Sequence, residues 1–293
     1  MYKKRSALPF CAAFVAPVLV LYTFLVILPM FSSFYYGLNK WNGIAAKEFI
    51  GLENFRVLFE STDYWRTFNN TIKLVVVTLI VQIPGGLIIA YMLHHKMRFY
   101  KVFRTITFLP VVIAPVAIGL MFSLFYNSEV GIFNKALEAV GLGAWKRRWL
   151  SDPQVVIYSV IAPQAWQYIG MYITIFLAAL EGVPGELMES AEIDGANSFQ
   201  AFRHIMLPQI SGFVVICVIL CVTGAFKSFE HPWVMTSGGP GVWSSYLGVY
   251  MYRTAFVDFD FGKASAISVT IVALSLLSTV VVRGLAARLN REG

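Results

Sequence analysis

The amino-acid sequence predicts an all-α, polytopic membrane protein with six transmembrane helices, and two observations support this prediction. In composition, 58% of the 293 residues are hydrophobic and 13% are charged, whereas about 25% of residues in soluble domains are charged. The chain also contains six runs free of Asp, Glu, Lys and Arg, each of about the 20 residues that cross a bilayer as a helix, or more. These runs are Ser6–Asn39, Leu74–Leu93, Thr105–Ser128, Pro153–Leu180, His204–Phe226 and Ala264–Val282. Together the two observations exclude a soluble enzyme, a disordered protein and a coiled coil.

The first run is expected to form an uncleaved span over about residues 8–37. It follows the basic residues Lys3, Lys4 and Arg5 and is too long for a signal peptide. No low-complexity linker separates the later runs. We therefore predict a single transmembrane domain over residues 1–293, with a core at about 68–287 and the first span as an added N-terminal helix.

Short basic segments predict the orientation in the membrane. The Lys96–Arg104 link between the second and third runs contains four bases and no acid, and both chain ends are basic. Such segments stay in the cytoplasm, so we place the link and both termini there. Lys146, Arg147 and Arg148 then fall in an outer segment, against the rule. The net charge of +7 is scattered between the runs, and we expect no nucleic-acid partner.

The segments predicted to lie outside carry local structure signals. Residues Asn39–Asn69 combine aromatic residues with charges of both signs, which indicates an ordered interfacial cap. A short helix is expected over Phe133–Val140, ended by Gly141. The glycine-rich stretch Thr236–Gly241 is a strong turn signal, and Tyr246–Phe256 after it suits an interfacial helix.

The loop between the fourth and fifth runs, Glu181–Arg203, contains five acids and one base. A helix is predicted over Glu186–Ile193, because acids are favourable in the first turns of a helix. Gly195 can then supply the left-handed conformation that ends helices. Ser198 can cap a second helix that runs through Met206. Two short amphipathic helices presented to the cytoplasm suit docking on a partner.

This loop resembles the EAA loop of ATP-binding-cassette (ABC) importer permeases. The matching residues are Glu189, Ser190, Ala191, Glu192, Ile193, Asp194, Gly195 and Ala196, followed by Phe202, Ile205, Leu207 and Pro208. Only Ser190 departs, at a position where Ala is usual in the family. Other segments are similar to the maltose-permease and glycerol-phosphate-permease branch of sugar importers, so that the resemblance covers about residues 7–287. These segments are Gly51–Phe55, Phe103-Arg104 with Leu109-Pro110, Gly131–Asn134 and Met235–Pro240.

The resemblance implies a subunit of the bacterial plasma (inner) membrane that works with several partners, besides the surrounding membrane lipid. They are a second homologous permease, two ATPase subunits and an extracytoplasmic solute-binding protein. ATP and Mg would be bound by the ATPase subunits, since this chain lacks a GxxxxGK[ST] phosphate loop. We expect no cofactor, metal ligand or catalytic residue in the chain. The coupling residues implied are Glu189, facing basic groups of an ATPase, and Gly195 at the turn, with Ala191, Asp194 and Ala196.

Polar residues within spans usually face a cavity or a bundle interior, which makes Gln164, Trp166, Gln167 and Ser228 candidates for a solute path. Amides and hydroxyls hydrogen-bond to sugar hydroxyls, and an aromatic face can stack on a sugar ring. In the resemblance, Trp166 matches a substrate-contacting Trp and Ser228 a contacting Asn. The alternative is that Trp166 packs between helices and that the two glutamines form interhelical hydrogen bonds.

Other positions limit what the resemblance implies about the solute. Val111 and Ala225 stand where maltose permeases have Tyr and Asn, which argues against maltose itself. We therefore predict a carbohydrate, an oligosaccharide or glycoside, without naming the sugar. Lys227 and Glu230 are expected to form an interfacial ion pair rather than a solute site.

Two other classes of function remain as alternatives. A secondary transporter driven by an ion gradient needs acids or histidines within its spans, yet no run contains an acid and His204 lies at the edge of one. A membrane enzyme needs a cluster of reactive groups, and the histidines are dispersed. Dependence of uptake on ATP or on an ion gradient separates the first alternative, and turnover without transport the second.

Overall fold

The structure is a computed structural model, and it describes residues 7–94 and 100–292. The predicted all-helical, polytopic membrane fold is confirmed. The helices are α1 Ala7–Tyr22, α2 Leu28–Gly37, α3 Glu53–Glu60, α4 Thr62–His94, α5 Tyr100–Val112, α6 Pro115–Phe125, α7 Ile132–Ala139, α8 Val156–Glu181, α9 Gly185–Ile193, α10 Ser198–Ala201, α11 Leu207–Gln209, α12 Ser211–Phe226, α13 Glu230–Thr236, α14 Leu247–Phe256 and α15 Phe261–Glu292. Wider π-helical turns at Thr23–Ile27 and Phe202–Met206 join neighbouring helices, and Gly143–Trp145 forms a 3-10 turn. The strands β1 Asn39–Lys40 and β2 Glu48–Phe49 form an antiparallel ribbon.

Among the described residues, four stretches are long and apolar enough to cross a membrane, and two bent helix pairs raise the number to six if each pair is one span. The four are Ala13–Gly37, Thr62–His94, Ser211–Thr236 and Phe261–Arg288. The bent pairs are α5 with α6, at 95°, and α8 with α9, at 71°. The basic residues Lys3, Lys4, Arg5, Lys96 and Arg98, used above to predict orientation, lie outside the described residues.

The break between α5 and α6 has a local cause in the sequence. Ala114 precedes Pro115, and the proline ring disfavours helical backbone at the residue before it. Ala114 accordingly has φ −57° and ψ 133°, and Pro115 starts α6. The third apolar run is therefore two helices.

The chain divides into two compact units, Met1–Ser61 with Met251–Thr270, and Thr62–Tyr250 with Ile271–Gly293. In the first unit the Asn54 side-chain amide donates hydrogen bonds to the backbone carbonyls of Gly37 and Asn39, both at 2.9 Å. The Lys47 ammonium lies 4.4 Å from the centre of the Tyr36 ring and 4.9 Å from that of Trp41. These contacts confirm ordered structure in the part of the predicted cap that precedes α4. Prediction of a single domain over residues 1–293 stays a prediction.

The second unit is built around α4 and α8. Glycine allows close approach between its helices, as small residues do in membrane bundles. A Cβ at Gly170 of α8 would lie 2.1 Å from the carbonyl oxygen of Thr107 on α5, so no larger residue fits there without a shift. One buried cluster joins α4, α8, α12 and the chain that precedes α12. Its members are Ile83, Ala90, Leu93, Tyr172, Ile173, Phe176, Leu177, Ala179, Leu180, Met206, Ile210, Cys217 and Cys221.

The predicted glycine-rich turn is confirmed, and we call Ser237–Tyr246 the Gly-rich turn. Ser237 ends α13 in the left-handed conformation, at φ 51°. The Asn70 side-chain amide of α4 donates to the backbone carbonyls of Val242, Trp243 and Ser245, at 2.9–3.2 Å. The turn is therefore fastened to one wall of the second unit.

In the second unit, the charges predicted to lie outside against the orientation rule are partly balanced by acids. Lys146 forms an ion pair with Glu138, and Arg147 forms one with Asp152. The prediction of an ion pair between Lys227 and Glu230 is wrong. Lys227 caps the end of α12 and α13 begins only at Glu230, so these residues are not one helical turn apart.

Candidate functional site

The loop that resembles the EAA motif folds as two helical arms, and we call residues 182–209 the EAA segment. The first arm, α9, begins at Gly185 and ends at Ile193, as predicted. Gly195 follows with φ +78°, the predicted left-handed position. The prediction that Ser198 caps the second arm is wrong, because Asn197 does so. Its side chain accepts a hydrogen bond from the Gln200 backbone N–H, and the Gln200 side chain accepts one from the Asn197 N–H, which forms a capping box.

The exposed surface of the EAA segment combines acids with apolar side chains. Glu189 is exposed and forms no ion pair with the described part of the chain. Ile193 is 86% exposed and Phe199 is 67% exposed. Exposed acids and exposed apolar side chains therefore lie on the same segment. Asp194 and Gly195 are exposed as well, whereas Ala196 is half-buried and Ala191 is buried.

Ser190, the one departure from the motif, is accommodated locally. Its hydroxyl donates to the Glu186 backbone carbonyl at 2.9 Å, within α9. A hydroxyl satisfied by its own helix adds no demand on the surroundings. The substitution therefore leaves the exposed surface of α9 unchanged in character.

The base of the EAA segment is anchored in the buried core. Met206 is 1% exposed and belongs to the cluster that joins α4, α8 and α12. The Tyr91 hydroxyl of α4 donates to the Ser198 carbonyl at 3.0 Å. Its ring lies 4.4 Å from that of Phe202, centre to centre. The EAA segment is thus exposed on its outer side and packed against the helices of the second unit at its base.

A cavity of about 250 Å³ lies between α4, α8, α12 and the start of α13. Amide, hydroxyl, phenol, ammonium, carboxylate and imidazole groups share its walls with apolar side chains. The lining residues are Thr78, Gln82, Gln164, Tyr168, Met171, Tyr172, Leu220, Cys221, Gly224, Ala225, Lys227, Ser228, Glu230 and His231. This mixture of apolar surface and a few placed polar groups is typical of small-molecule sites.

Hydrogen bonds hold the amides of the cavity in place. The Ser228 hydroxyl donates to Gln164 Oε1 at 3.0 Å. Gln82 Nε2 donates to the Ala165 carbonyl at 3.1 Å, and Cys221 donates its thiol to Gln82 Oε1 at 3.5 Å. Three helices thereby contribute to one polar network, whose groups can form hydrogen bonds with a solute rich in hydroxyls.

The structure brings together two of the four predicted path residues, Gln164 and Ser228. Trp166 is 44% exposed on another face of α8, with its ring 5.8 Å from that of Phe122. Gln167 is fully buried, and its Nε2 donates to the Ile113 carbonyl at 2.8 Å, at the break between α5 and α6. The last two therefore contact neighbouring helices rather than the cavity.

Sequence reasoning missed several residues that line the cavity, above all Gln82 and His231. Gln82 is an amide within the second apolar run, which was the available signal. His231 is 1% exposed, and its Nε2 has no hydrogen-bond partner among the described residues. A lone histidine after a helix end carries no comparable signal.

A protein-family model matches most of the chain. The model of the family described as "Binding-protein-dependent transport system inner membrane component" matches residues 82–291. That range contains the whole EAA segment and every cavity residue except Thr78.

Similar proteins cover almost the whole chain. The probable ABC transporter permease protein YurN of Bacillus subtilis (strain 168) is 35% identical over 94% of each chain. The arabinooligosaccharides transport system permease protein AraP of the same organism is 29% identical, over 99% of this chain and 91% of AraP. Among solved structures, a chain of a bacterial ABC transporter involved in the import of the acidic polysaccharide alginate superposes with a TM-score of 0.82. It is 21% identical over 95% of each chain, so this likeness concerns the fold.

Proposed function

The chain belongs to the family of binding-protein-dependent transport system inner membrane components, and on that premise we propose that its solute is a carbohydrate, an oligosaccharide or glycoside. It is a multi-pass inner-membrane permease of an ABC importer and not itself an enzyme. In this family ATP binding lies with separate ATPase subunits. The family decides against the two alternatives, an ion-driven transporter and a membrane enzyme.

The proposed solute class rests on the cavity and on a relative. Gln164, Ser228 and Gln82 offer amide and hydroxyl groups in a space of about 250 Å³. Such groups both donate and accept hydrogen bonds, as sugar hydroxyls require. The relative AraP is named as a permease of an arabinooligosaccharides transport system. In the proposal Trp166 and Gln167 border the path as residues that position α8.

The finer partner set is also a proposal. We infer a second homologous permease beside this chain, two ATPase subunits that hold ATP and Mg, and a solute-binding protein on the opposite face. The orientation proposed from the basic segments places both termini in the cytoplasm, with the ATPases. A tag fused after Gly293 should therefore be accessible from the cytoplasm, and access only from outside would contradict this orientation.

The observation that carries the coupling proposal is the exposed surface of the EAA segment, with Glu189, Ile193 and Phe199. Glu189 enters a cleft of the ATPase and faces basic groups there, while the two apolar side chains cover the contact. Asp194, Gly195 and Ala196 shape the turn, and the buried Ala191 packs α9 against the rest. Movement of the ATPases displaces the segment and, through its buried base, the helices around the cavity.

The test compares two charge reversals on α9, Glu189→Lys and Glu186→Lys. Both residues are exposed acids of the same helix, one turn apart. Removing one partner of a desolvated ion pair costs about 3–5 kcal/mol. Glu189→Lys should therefore insert normally yet lose the ATPase subunits on purification, whereas Glu186→Lys should keep most of them. Wild-type uptake and full ATPase retention with Glu189→Lys would contradict the coupling role.

A further inference from the structure

We propose that Tyr91 is a positioning residue that transmits movement of the EAA segment to α4 and so to the walls of the cavity. The inference rests on the proposed coupling function of that segment. It adds a residue from outside the motif.

Tyr91 contacts the second arm of the segment in two different ways. Its hydroxyl donates to the Ser198 carbonyl at 3.0 Å, and its ring packs on Phe202 at 4.4 Å between centres. Ser198 is the first residue of α10, and Phe202 begins the π-helical turn that follows it. Tyr91 therefore contacts both ends of α10.

Further along α4, the same helix lines the cavity. Gln82 lies nine residues before Tyr91 on α4, which corresponds to about 14 Å along a helix. Gln82 lines the cavity and is hydrogen-bonded to α8 through the Ala165 carbonyl and to α12 through Cys221. Because α4 is one continuous helix between Tyr91 and Gln82, we expect a displacement at Tyr91 to change the position of Gln82.

The hydrogen bond gives this contact a property that the apolar base of the segment lacks. Met206 joins the segment to the buried cluster of α4, α8 and α12 by packing alone, and dispersion contacts are not directional. A hydroxyl-to-carbonyl bond weakens steeply when its distance or angle changes. The exposed Tyr91–Ser198 bond therefore adds a directional link between α4 and α10 to the packing of the two rings.

The experiment measures wall movement in the assembled transporter, with the permease, its partner permease and the ATPases in nanodiscs. Spin labels are attached at Ile80 of α4 and Ile216 of α12, which are 66% and 52% exposed, with Cys11 replaced and the buried Cys217 and Cys221 kept, since Cys221 is hydrogen-bonded to Gln82. The distance between the labels is compared without nucleotide and with Mg-ATP and vanadate. ATPase retention is measured on the same samples.

In the parent transporter the nucleotide should shift this distance. Tyr91→Ala should lose the shift while the ATPases stay bound, and Tyr91→Phe, which keeps the ring but not the hydroxyl, should keep part of it. Tyr158→Ala, a control at an exposed tyrosine of α8, should leave the shift unchanged. The thermal unfolding midpoint is measured on the same variants, because a loss of stability alone would follow the same order.

The inference is overturned if Tyr91→Ala and Tyr91→Phe both show the parent shift, or if the parent shows no shift. It is also overturned if Tyr91→Ala loses the ATPases, since Tyr91 would then act in docking. Should Tyr91→Ala fail to fold, Tyr91→Phe alone decides, and a full parent shift in that variant rejects the role of the hydroxyl. Failure of the coupling proposal is separate, because Glu189→Lys reports ATPase retention with Tyr91 intact.

Discussion

The Gly-rich turn and the EAA segment are both held by α4, but by different kinds of contact. Asn70 binds the turn through three backbone carbonyls, and Thr71 accepts a hydrogen bond from the Leu247 N–H at 3.0 Å. Twenty-one residues further on, Tyr91 binds the EAA segment through one hydroxyl and one ring. That separation is about 32 Å along a helix, close to the thickness of the hydrocarbon core of a bilayer.

The polar groups of the two regions differ in where they find partners. In the turn, Ser244 donates to the Gly239 carbonyl at 2.7 Å and shares a hydrogen bond with Thr236. Tyr246 is fully buried, its hydroxyl has no hydrogen-bond partner among the described residues, and burial raises the pKa of the phenol. The acids of the EAA segment, such as Glu189, are exposed. Internal hydrogen bonds make the turn rigid, whereas the segment keeps its charges and apolar side chains for another subunit.

The largest expected effect on stability is at the turn, with Asn70→Ala. This change removes the donor for three carbonyls, of which the Ser245 carbonyl belongs to a fully buried residue. A buried group left without a partner costs about 1–3 kcal/mol. The thermal unfolding midpoint of the purified protein in detergent should fall clearly. Asn69→Ala, at the exposed neighbouring asparagine, is the control, and equal midpoints for the two variants would remove Asn70 from this role.

The EAA segment should respond to Ile193→Asp in the opposite way. Ile193 is 86% exposed, so a polar residue there costs the isolated chain little, and the unfolding midpoint should stay at the wild-type value. Because an acid placed in an apolar contact must be desolvated, ATPase co-purification should fall several-fold. Ile44→Asp, at a residue 92% exposed in the other unit, should retain the ATPases. Equal retention in both variants would show that Ile193 lies outside the contact.

A smaller effect is expected in the cavity, between the two regions. Ser228→Ala removes the hydroxyl that holds Gln164 Oε1 in the cavity wall, and a solute that loses one hydrogen bond to these groups loses about 0.5–1.5 kcal/mol. Uptake of the solute that the binding protein carries should weaken by up to about tenfold, with folding and ATPase retention unchanged. Unaltered uptake at all concentrations of loaded binding protein would place Ser228 outside the path.

The smallest expected effect is that of Trp166→Ala. The ring packs on Phe122, so its loss should shift the preference among accepted sugars slightly and leave the ATPases attached. Uptake of a panel of sugars measures this. Unchanged uptake of every sugar would place Trp166 outside the solute path. A larger change than that caused by Ser228→Ala would show that Trp166 contacts the solute directly.

The sequence was sufficient for features that depend on neighbouring residues. Apolar runs predicted the helices, and the acids and Gly195 of the loop between the fourth and fifth runs predicted α9 and its left-handed end. The choice of Ser198 as a cap was wrong, although a local signal existed. Asn197 is followed three residues later by Gln200, as a capping box requires. Asn197 and Ser198 both favour the cap position. Asn197 is the cap because the Gln200 side chain bonds back to its N–H.

Features that depend on three helices at once could not be predicted. The spacing of Lys227 and Glu230 indicates an ion pair only if the helix continues, and the chain leaves the helix at Lys227. Likewise, Gln82 and His231 enter the cavity because of how α4 and α13 are rotated about their axes. Apolar membrane helices show little periodicity in the sequence, since lipid and core are both apolar, and such rotations therefore leave almost no trace.

The bend between α5 and α6 also has an evolutionary consequence. At the bend the Ile113 carbonyl accepts a hydrogen bond from the Gln167 side chain of α8. Backbone groups freed from helical pairing at membrane depth need such a partner, so the bend and the glutamine form one heritable unit. A homologue with a straight helix here would leave Gln167 without this acceptor, and one without the glutamine would leave the Ile113 carbonyl without this donor. Across lineages, positions 115 and 167 should change together.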